Sequence, residues 1–344
     1  MADRDGLAVG IAGATGAVGR ELVSLLEERS LPVGDLRLLA SPRSAGEEIE
    51  FRGSACRVRE LTAETLQGLD VVFFSAGSGV SRELAPIAAR AGAVVIDNSS
   101  AFRMEETVPL VIPEINARAL SGIRRRKEKG AIIANPNCST IVLLMAVTPL
   151  HLAARVRRMV VSTYQAASGA GARAMKELES QAREMLEGRE PRPQVFKEPC
   201  AFNVFSHDTA IGEDGYNVEE TKMLHETRKI WGDSEVGVSA TCVRVPVRRA
   251  HTEAIHVELE REMDEAEARE LLTAFPGVAL RDDREENRFP TPLLAAGRDE
   301  IFVGRIRRDT SCEKGLVLLA SGDQLRKGAA LNAVQIAEEL RDRW

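Results

Sequence analysis

The sequence predicts an α/β chain of two domains, a mostly parallel doubly wound sheet followed by an α+β domain whose sheet is mostly antiparallel. Three observations carry this expectation. Up to about residue 134, short apolar runs alternate with helical patterns, the rhythm of βαβ units. From about residue 155 the chain changes to longer strand-like stretches with helical patterns set between them. The first apolar run leads straight into glycines, as the first strand of a nucleotide-binding sheet does. At 344 residues the chain also exceeds one ordinary core, since a domain holds about 150 residues.

In the first domain, Leu7 to Ala12 reads as a strand and Ala17 to Glu28 as a helix. Leu36 to Ala40, Val71 to Ser75 and Val94 to Asp97 read as further strands, with a helix over Ser81 to Ala91. Ligands of such sheets bind beyond the C-terminal ends of the strands. In the second domain, strands are expected over Arg155 to Ala167, Gly237 to Val247, His251 to Glu260, Ile301 to Arg307 and Leu316 to Ser321. Helical patterns cover Ala172 to Glu187, Val218 to Ile230 and Asp264 to Phe275, the last with an acidic first turn. Leu325 to Arg343 reads as a long amphipathic helix that packs back on the first domain. The expected domains are therefore 1–135 completed by 325–344, and 136–324.

Composition narrows the function. With 44% hydrophobic and 28% charged residues the chain has the balance of a soluble globular protein, and 4% aromatic content leaves packing to Val, Leu, Ile and Ala. A net charge of -6 argues against a general polyanion binder, so no nucleic-acid partner is expected. The one dense basic run, Arg124 to Lys129, has no interleaved aromatic residue and reads as a solvated loop. Cys56, Cys138, Cys200, Cys242 and Cys312 are odd in number, widely spaced and without a C-x-x-C pair. They indicate neither a disulfide framework nor a zinc site, and suit a reducing cytoplasm. His251 and His256, in one predicted strand, point to opposite faces, so no shared metal is expected. The charged start, Met1 to Gly6, and the lack of an apolar run of about 18 residues leave secretion and membrane insertion unsupported.

The segment Gly10 to Gly19 joins the first strand to the first helix and carries Gly13, Thr15, Gly16, Ala17 and Val18. Glycines there allow a tight turn and close approach of the backbone to a pyrophosphate, which the helix N-terminus faces. A glycine turn that merely packs is the alternative, and the strand-to-helix context favours dinucleotide binding. An NAD enzyme places Asp or Glu on the ribose about twenty residues further on. This chain instead reads Ala40-Ser41-Pro42-Arg43-Ser44-Ala45-Gly46. The guanidinium of Arg43 with the hydroxyls of Ser41 and Ser44 suits a 2′-phosphate, which points to NADP(H) and a Rossmann-type NADP-binding domain. A Ser/Pro turn with a surface Arg remains the competing reading.

Ala134-Asn135-Pro136-Asn137-Cys138-Ser139-Thr140 joins the apolar run Ala131 to Ile133 to the apolar stretch Ile141 to Val147, so Cys138 falls where a strand hands over to a helix. Unpaired N–H groups and the dipole at a helix start favour the thiolate, which makes Cys138 a candidate nucleophile. A small buried cysteine, with Asn137 and Ser139 as ordinary caps, is the alternative.

Set beside this segment are Asn98-Ser99-Ser100-Ala101-Phe102-Arg103, Thr163-Tyr164-Gln165-Ala166-Ala167-Ser168-Gly169-Ala170-Gly171 and Glu219-Glu220-Thr221-Lys222. Arg244-Val245-Pro246-Val247 and Ala250-His251-Thr252-Glu253 follow. Together these motifs closely resemble the bacterial type of aspartate-semialdehyde dehydrogenase. The resemblance runs nearly end to end, from Gly13-Ala14-Thr15-Gly16-Ala17-Val18-Gly19 to the segment Asp323 to Ala330. Ala174, where many relatives have Gly, and the basic run are the departures.

The resemblance implies NADPH-dependent, reversible reduction of L-4-aspartyl phosphate to L-aspartate 4-semialdehyde and phosphate through a cysteine thioester. It implies a cytoplasmic homodimer serving lysine, threonine, methionine and diaminopimelate biosynthesis, with the second domain catalytic and dimer-forming. It makes Cys138 the nucleophile, Gln165 the residue orienting the substrate and His251 the acid/base, which suits thiohemiacetal chemistry near neutral pH. Arg244 binds the substrate carboxylate, Arg103, Asn137 and Lys222 the phosphate, and Glu219 the substrate ammonium, while Ser168, Gly169 and Gln324 match cofactor contacts. On spacing alone, Glu219 and Lys222 share a helix face and read as a surface ion pair. His251 alone reads as a satisfied structural histidine. N-acetyl-glutamyl-phosphate reductase shares the fold and thiol chemistry, but its substrate lacks the free ammonium that Glu219 suits. A catalytically silent NADP-binding relative is a further alternative, opposed by the joint presence of Cys138, Gln165 and His251.

Overall fold

The computed structural model describes residues 6–123 and 130–341; the basic run Arg124 to Lys129 lies outside the described residues. The chain divides into two compact units, Met1–Pro136 with Ala329–Trp344, and Asn137–Gly328.

The first unit runs β1 (Leu7–Ala12), α1 (Ala17–Glu28), β2 (Val33–Ala40), β3 (Glu48–Phe51), β4 (Ser54–Arg57) and β5 (Arg59–Glu60). It continues through β6 (Val71–Phe74), α2 (Ser78–Arg90), β7 (Val94–Asp97), α3 (Pro113–Asn116) and β8 (Ala131–Ala134). Six strands form a sheet ordered β5-β2-β1-β6-β7-β8, with every pairing parallel, while β3 and β4 form a separate hairpin. Parallel strands covered on both faces must be apolar throughout, and β1, β6 and β7 are buried at every position. Alternate residues divide between two cores. Val9, Ile11, Val71 and Phe73 face α1 and the C-terminal helix Leu331–Arg341 through Leu22, Leu26, Ile336 and Leu340. Ala8, Val72 and Phe74 face the other way, toward Ala85 and Ala88 of α2.

The segment from Leu325 departs from the single amphipathic helix the sequence predicts. A π-helical turn, Arg326–Ala330, precedes the α-helix Leu331–Arg341. Its wider loop is closed by the Gly328 N–H donating to the Asp323 carbonyl at 3.1 Å. Residues 320–334 are all buried, so the first part of this segment is enclosed on every side.

The second unit runs α4 (Cys138–Ala154), β9 (Val156–Gln165), α5 (Ala172–Leu186), β10 (Phe205–Ser206), α6 (Val218–Trp231) and β11 (Gly237–Arg244). Then come β12 (His251–Leu259), α7 (Glu265–Ala274), β13 (Val278–Leu280), α8 (Pro292–Ala295), β14 (Ile301–Arg308) and β15 (Gly315–Gly322). Its sheet is ordered β10-β11-β9-β12-β15-β14-β13. The β9/β11 and β13/β14 pairs are parallel and the other pairs antiparallel, so the sheet is mixed. A parallel pair needs a long crossover, and the chain from β9 to β11 supplies one carrying α5 and α6. Helix α4 is buried from Ser139 through Leu150, as its continuous apolar sequence requires, and packs on β12, β15, α6 and α7. That packing holds the Cys138 end of α4 in place.

Two glycines of the first unit permit close backbone packing. Gly13 has φ +92°, and a Cβ there would stand 2.4 Å from the Ser75 carbonyl oxygen. At Gly19 a Cβ would stand 2.2 Å from the Gly13 carbonyl oxygen, so α1 approaches the loop only because position 19 has no side chain. We expect Gly19→Ala to destabilise the first unit by about 1–3 kcal/mol through overpacking. Thermal unfolding checks this, and an unchanged midpoint would contradict the packing described.

Candidate active site

In the first unit, the loop after β1 folds back on β2 through Gly13 and Ala14 N–H groups donating to the Leu39 carbonyl, at 2.8 and 3.0 Å. Gly16 caps α1 without any side-chain hydrogen bond, and Thr15, Ala17 and Val18 stand at this half-buried edge. A helix start with no side chain closing it, reached by a glycine turn, fits a pyrophosphate. Ser41 opens a short 3-10 turn, Pro42–Ser44, at the end of β2, and Ser41 and Arg43 are exposed there. A cleft of about 630 Å³ adjoins this turn, lined in part by Gly46 with Arg37, Arg57 and Arg59. Arg57 and Arg59 are not evident from the sequence, because β4 and β5 are too short to read as strands.

Arg103 is buried in the same unit, its Nε donating to the Asn135 carbonyl at 2.9 Å and Nη2 to the Asn98 carbonyl at 2.8 Å. Asp97 braces the loop carrying Asn98 by accepting hydrogen bonds from Ser81 and Ser99.

The second unit gathers the other candidates at the end of its sheet. Arg244 of β11 lies opposite Gln165 of β9, and the Thr252/Tyr164 pairing sets His251 beside Gln165 on the other side. Cross-strand neighbours share a face, so Arg244, Gln165 and His251 form one row. Two residues further along the strands, Cys242, Thr163 and Glu253 form a second row on the same face.

Helix α4 starts against the first row. Asn137 caps it, its Oδ1 accepting from the Ser139 and Thr140 N–H groups at 3.0 and 3.2 Å. The Asn137 Nδ2 donates to Glu219 Oε1 at 2.8 Å, and its backbone N–H to Glu226 Oε2 at 2.6 Å. Gln165 Nε2 donates to Ser139 Oγ at 3.0 Å, which brings it to the neighbour of Cys138. Gly328 closes over the thiol-bearing residue: a Cβ there would stand 3.0 Å from Cys138 Cβ. Cys138 itself is half-buried, whereas Cys200 and Cys242 are buried. Burial drives the Cys200 thiol pKa up to about 11 and the Cys242 thiol higher still, so neither is a nucleophile.

Glu219 is the common acceptor. It receives Asn137, Gln165 Nε2 at 3.4 Å and Lys222 Nζ at 2.9 Å, so the Glu219–Lys222 pair is part of this network and not a solvated surface pair. Burial opposes its ionisation, but the Lys222 charge, His207 and the hydrogen bonds outweigh it and hold Glu219 at about 2. Arg244 is buried, with Nη1 donating to Gln165 Oε1 and the Ala166 carbonyl, each at 3.3 Å, and its guanidinium lies over the Phe196 ring. Asp208 faces its Nε at 3.8 Å.

His251 is wholly buried, and its Nδ1 accepts the Ala166 N–H at 3.0 Å. Burial, then the Arg244 charge, lower its pKa to about 3. His256 projects from the opposite face of β12, exposed and paired with Asp309 at 3.0 Å. Gln324 donates to Ser168 Oγ and accepts from the Ala250 N–H at 2.9 Å, which fixes both cofactor candidates. Gly169 has no room for a side chain, since a Cβ would stand 2.9 Å from Arg244 Nη1.

Sequence reasoning passed over Glu253, quoted only as part of a motif. It is wholly buried, with neither carboxyl oxygen hydrogen-bonded among the described residues, and burial followed by the Glu219 charge raise its pKa far above the usual range. Its sole sequence signal is spacing, two residues from His251 on one strand face. Glu226 and Gly328 were also missed, because their roles depend on what folding brings beside them.

A capped helix start, a thiol, two ordered side-chain donors, a buried arginine and an ionised carboxylate together suit nucleophilic chemistry on a small acyl compound carrying both charges. No cluster of three or more His, Cys, Asp or Glu side chains that could hold a metal ion occurs among the described residues. None of the described helices is long and apolar enough to cross a membrane.

Comparison with known proteins identifies the chemistry. Residues 8–123 match the family model for the semialdehyde dehydrogenase NAD binding domain, and residues 147–327 that for the semialdehyde dehydrogenase dimerisation domain. The aspartate-semialdehyde dehydrogenase of Aquifex aeolicus is 50% identical over 337 residues, 97% of this chain and 98% of its own. That of Bacillus subtilis is 43% identical over 344 residues, 98% of each chain. The crystal structure of aspartate semialdehyde dehydrogenase II complexed with ASA from Vibrio cholerae superposes with a TM-score of 0.94 at 42% identity, covering 98% of this chain and 99% of that one. With both units matched at this identity, the chain belongs to the aspartate-semialdehyde dehydrogenase family, oxidoreductases that act on an aldehyde.

Proposed function

We propose that the chain reduces L-4-aspartyl phosphate to L-aspartate 4-semialdehyde and phosphate, reversibly, through a thioester on Cys138. The observation that carries this is the placement of Cys138 as the first residue of α4, with Asn137 as cap and Gln165 bonded to Ser139. Negative charge on sulfur is favoured at such a helix start, and half-burial leaves the sulfur reachable. Thiolate attack on the acyl carbon forms the C–S bond and expels phosphate. NADPH, when bound, supplies the hydride that reduces the thioester.

The remaining residues orient an anion at each end of the substrate. Arg244, its guanidinium over the Phe196 ring, takes the α-carboxylate, for which a guanidinium offers two-point contact. Glu219, ionised, takes the ammonium. Lys222, Arg103 and the second N–H of Asn137 Nδ2 serve the phosphate. His251 serves the oxygen of the reacting carbon.

The cofactor is NADP(H). The loop Gly13, Thr15, Gly16, Ala17 and Val18 offers an uncapped helix start for the pyrophosphate, and the exposed Arg43 with Ser41 and Ser44 receives the 2′-phosphate. Ser168, Gly169 and Gln324 contact the nicotinamide end.

The active form is a cytoplasmic homodimer. The match of residues 147–327 to a dimerisation domain supports this, as do the apolar side chains the second unit exposes, among them Tyr164, Phe202, Ile211 and Val218. No disulfide links its five cysteines, which suits a reducing compartment.

Purified protein given L-aspartate semialdehyde and NADP is expected to form NADPH beyond one equivalent per site only when phosphate is present, with NADP preferred over NAD by about tenfold or more. Cys138→Ala should lose turnover by about 10⁴-fold or more and still bind NADP. Full activity in that variant, or no turnover in the native protein, would refute the thioester reading. Sedimentation at micromolar concentration should give twice the chain mass of 37.5 kDa, and a monomer would contradict the dimer.

A further inference from the structure

We propose that Asp97 is a positioning residue of the phosphate site, its carboxyl group shaping the loop that delivers Arg103; this rests on the phosphate role given to Arg103 above. Asp97 ends β7, which lies between β6 and β8, and is wholly buried. Its Oδ1 accepts from Ser81 Oγ of α2 at 2.8 Å and from the Ser99 N–H at 3.1 Å, and its Oδ2 accepts from Ser99 Oγ at 2.7 Å. These partners are hydroxyls and a peptide N–H, so the contact is directional and is not an ion pair. Burying an acid on such terms stabilises the fold less than an apolar residue would, and what it gives is geometry.

That geometry is a turn. The Ser99 N–H bonded to the side chain two residues before it closes an Asx turn, and Ser99 Oγ accepts in its own right from the Ala101 N–H at 3.1 Å. The carboxyl group therefore directs the chain from residue 98 to residue 101. Asn98 is pinned at the start, its N–H and its Nδ2 both donating to the Phe74 carbonyl, at 2.9 and 3.1 Å.

The turn brings Arg103 back over the strand ends. Its Nη2 donates to the Asn98 carbonyl and its Nε to the Asn135 carbonyl, so one guanidinium spans the residues that follow β7 and β8. Asp97 reaches both anchors, Asn98 through the chain and Asn135 through its own carbonyl, which accepts the Asn135 N–H at 2.8 Å. A guanidinium is a rigid fork, so two fixed carbonyls set the direction of the whole group. At 7% exposure Arg103 has little freedom to recover its aim if the loop moves.

Arg103 belongs to the first unit, whereas the contacts that order Asn137, Gln165 and Glu219 around Cys138 lie within the second. Loss of the Asp97 brace therefore displaces a phosphate ligand and spares the groups that form the thioester.

In the oxidative direction the first equivalent of NADPH, formed without phosphate, reads thioester formation, and the phosphate dependence of turnover reads its discharge. Asp97→Ala should raise the KM for phosphate about tenfold or more, while the rate of the first equivalent and the KM for L-aspartate semialdehyde stay within about threefold of native. Asp97→Asn keeps an oxygen for Ser81 and the Ser99 N–H, and should hold the KM for phosphate within about threefold. In an Arg103→Ala background, Asp97→Ala should change that KM by less than about twofold, because its effect passes through Arg103. A native KM for phosphate in Asp97→Ala, a loss shared equally by the first equivalent, or additive effects in the double variant would each overturn the inference. If Asp97→Ala does not fold, Ser99→Ala decides: it leaves the carboxyl group in place and should raise the KM for phosphate about threefold or more, and an unchanged KM would overturn the inference. An unchanged KM for phosphate in Arg103→Ala itself would remove the phosphate role of Arg103, whereas a raised KM there beside a native one in Asp97→Ala removes only this inference.

Discussion

The cap that Asn137 places on α4 is the contact on which the second unit's chemistry depends. One end of its amide enters the helix and the other reaches Glu219, while its backbone N–H meets Glu226. Glu219 and Glu226 lie two turns apart on one face of α6, so a single residue ties the start of α4 to two points along a second helix. Cys138 follows directly, and its position is fixed by what fixes Asn137. Gln165 then joins the sheet to the same spot through Ser139 and Glu219.

Beneath that contact the sheet is layered by charge. The row of Arg244, Gln165 and His251 is polar and ordered by hydrogen bonds, and in the row of Cys242, Thr163 and Glu253 below it burial pushes the Cys242 thiol and the Glu253 carboxyl up. Burial, and then the charge of Glu219, push the Glu253 carboxyl far above the usual carboxylate range, while the Lys222 charge, His207 and hydrogen bonds outweigh burial and hold Glu219 low. Burial likewise silences Cys200 and Cys242 and leaves Cys138 as the thiol with both exposure and a helix start.

Much of this was legible before the fold was known, because buried parallel strands such as β1 and β6 read as unbroken apolar runs and α4 as a continuous one. Strand direction was not legible: period-two alternation is the same in parallel and antiparallel pairs, so β9/β11 and β13/β14 could not be singled out. The π turn at Arg326–Ala330 was hidden for a similar reason, since one added residue in a helical turn leaves no mark on a short small-residue stretch. In the site, Cys138 and the motif residues announce themselves by type, whereas Glu253, Glu226 and Gly328 acquire meaning only from their neighbours.

The central claim is that carbon–sulfur bonding at Cys138 links acyl transfer to hydride transfer. Its most direct test is intact-mass and peptide mass spectrometry of the protein mixed with L-aspartate semialdehyde and NADP in the absence of phosphate. The account predicts a covalent aspartyl adduct mapped to Cys138 that is discharged when phosphate is added. An adduct on another residue, or turnover without any adduct on Cys138, would contradict it.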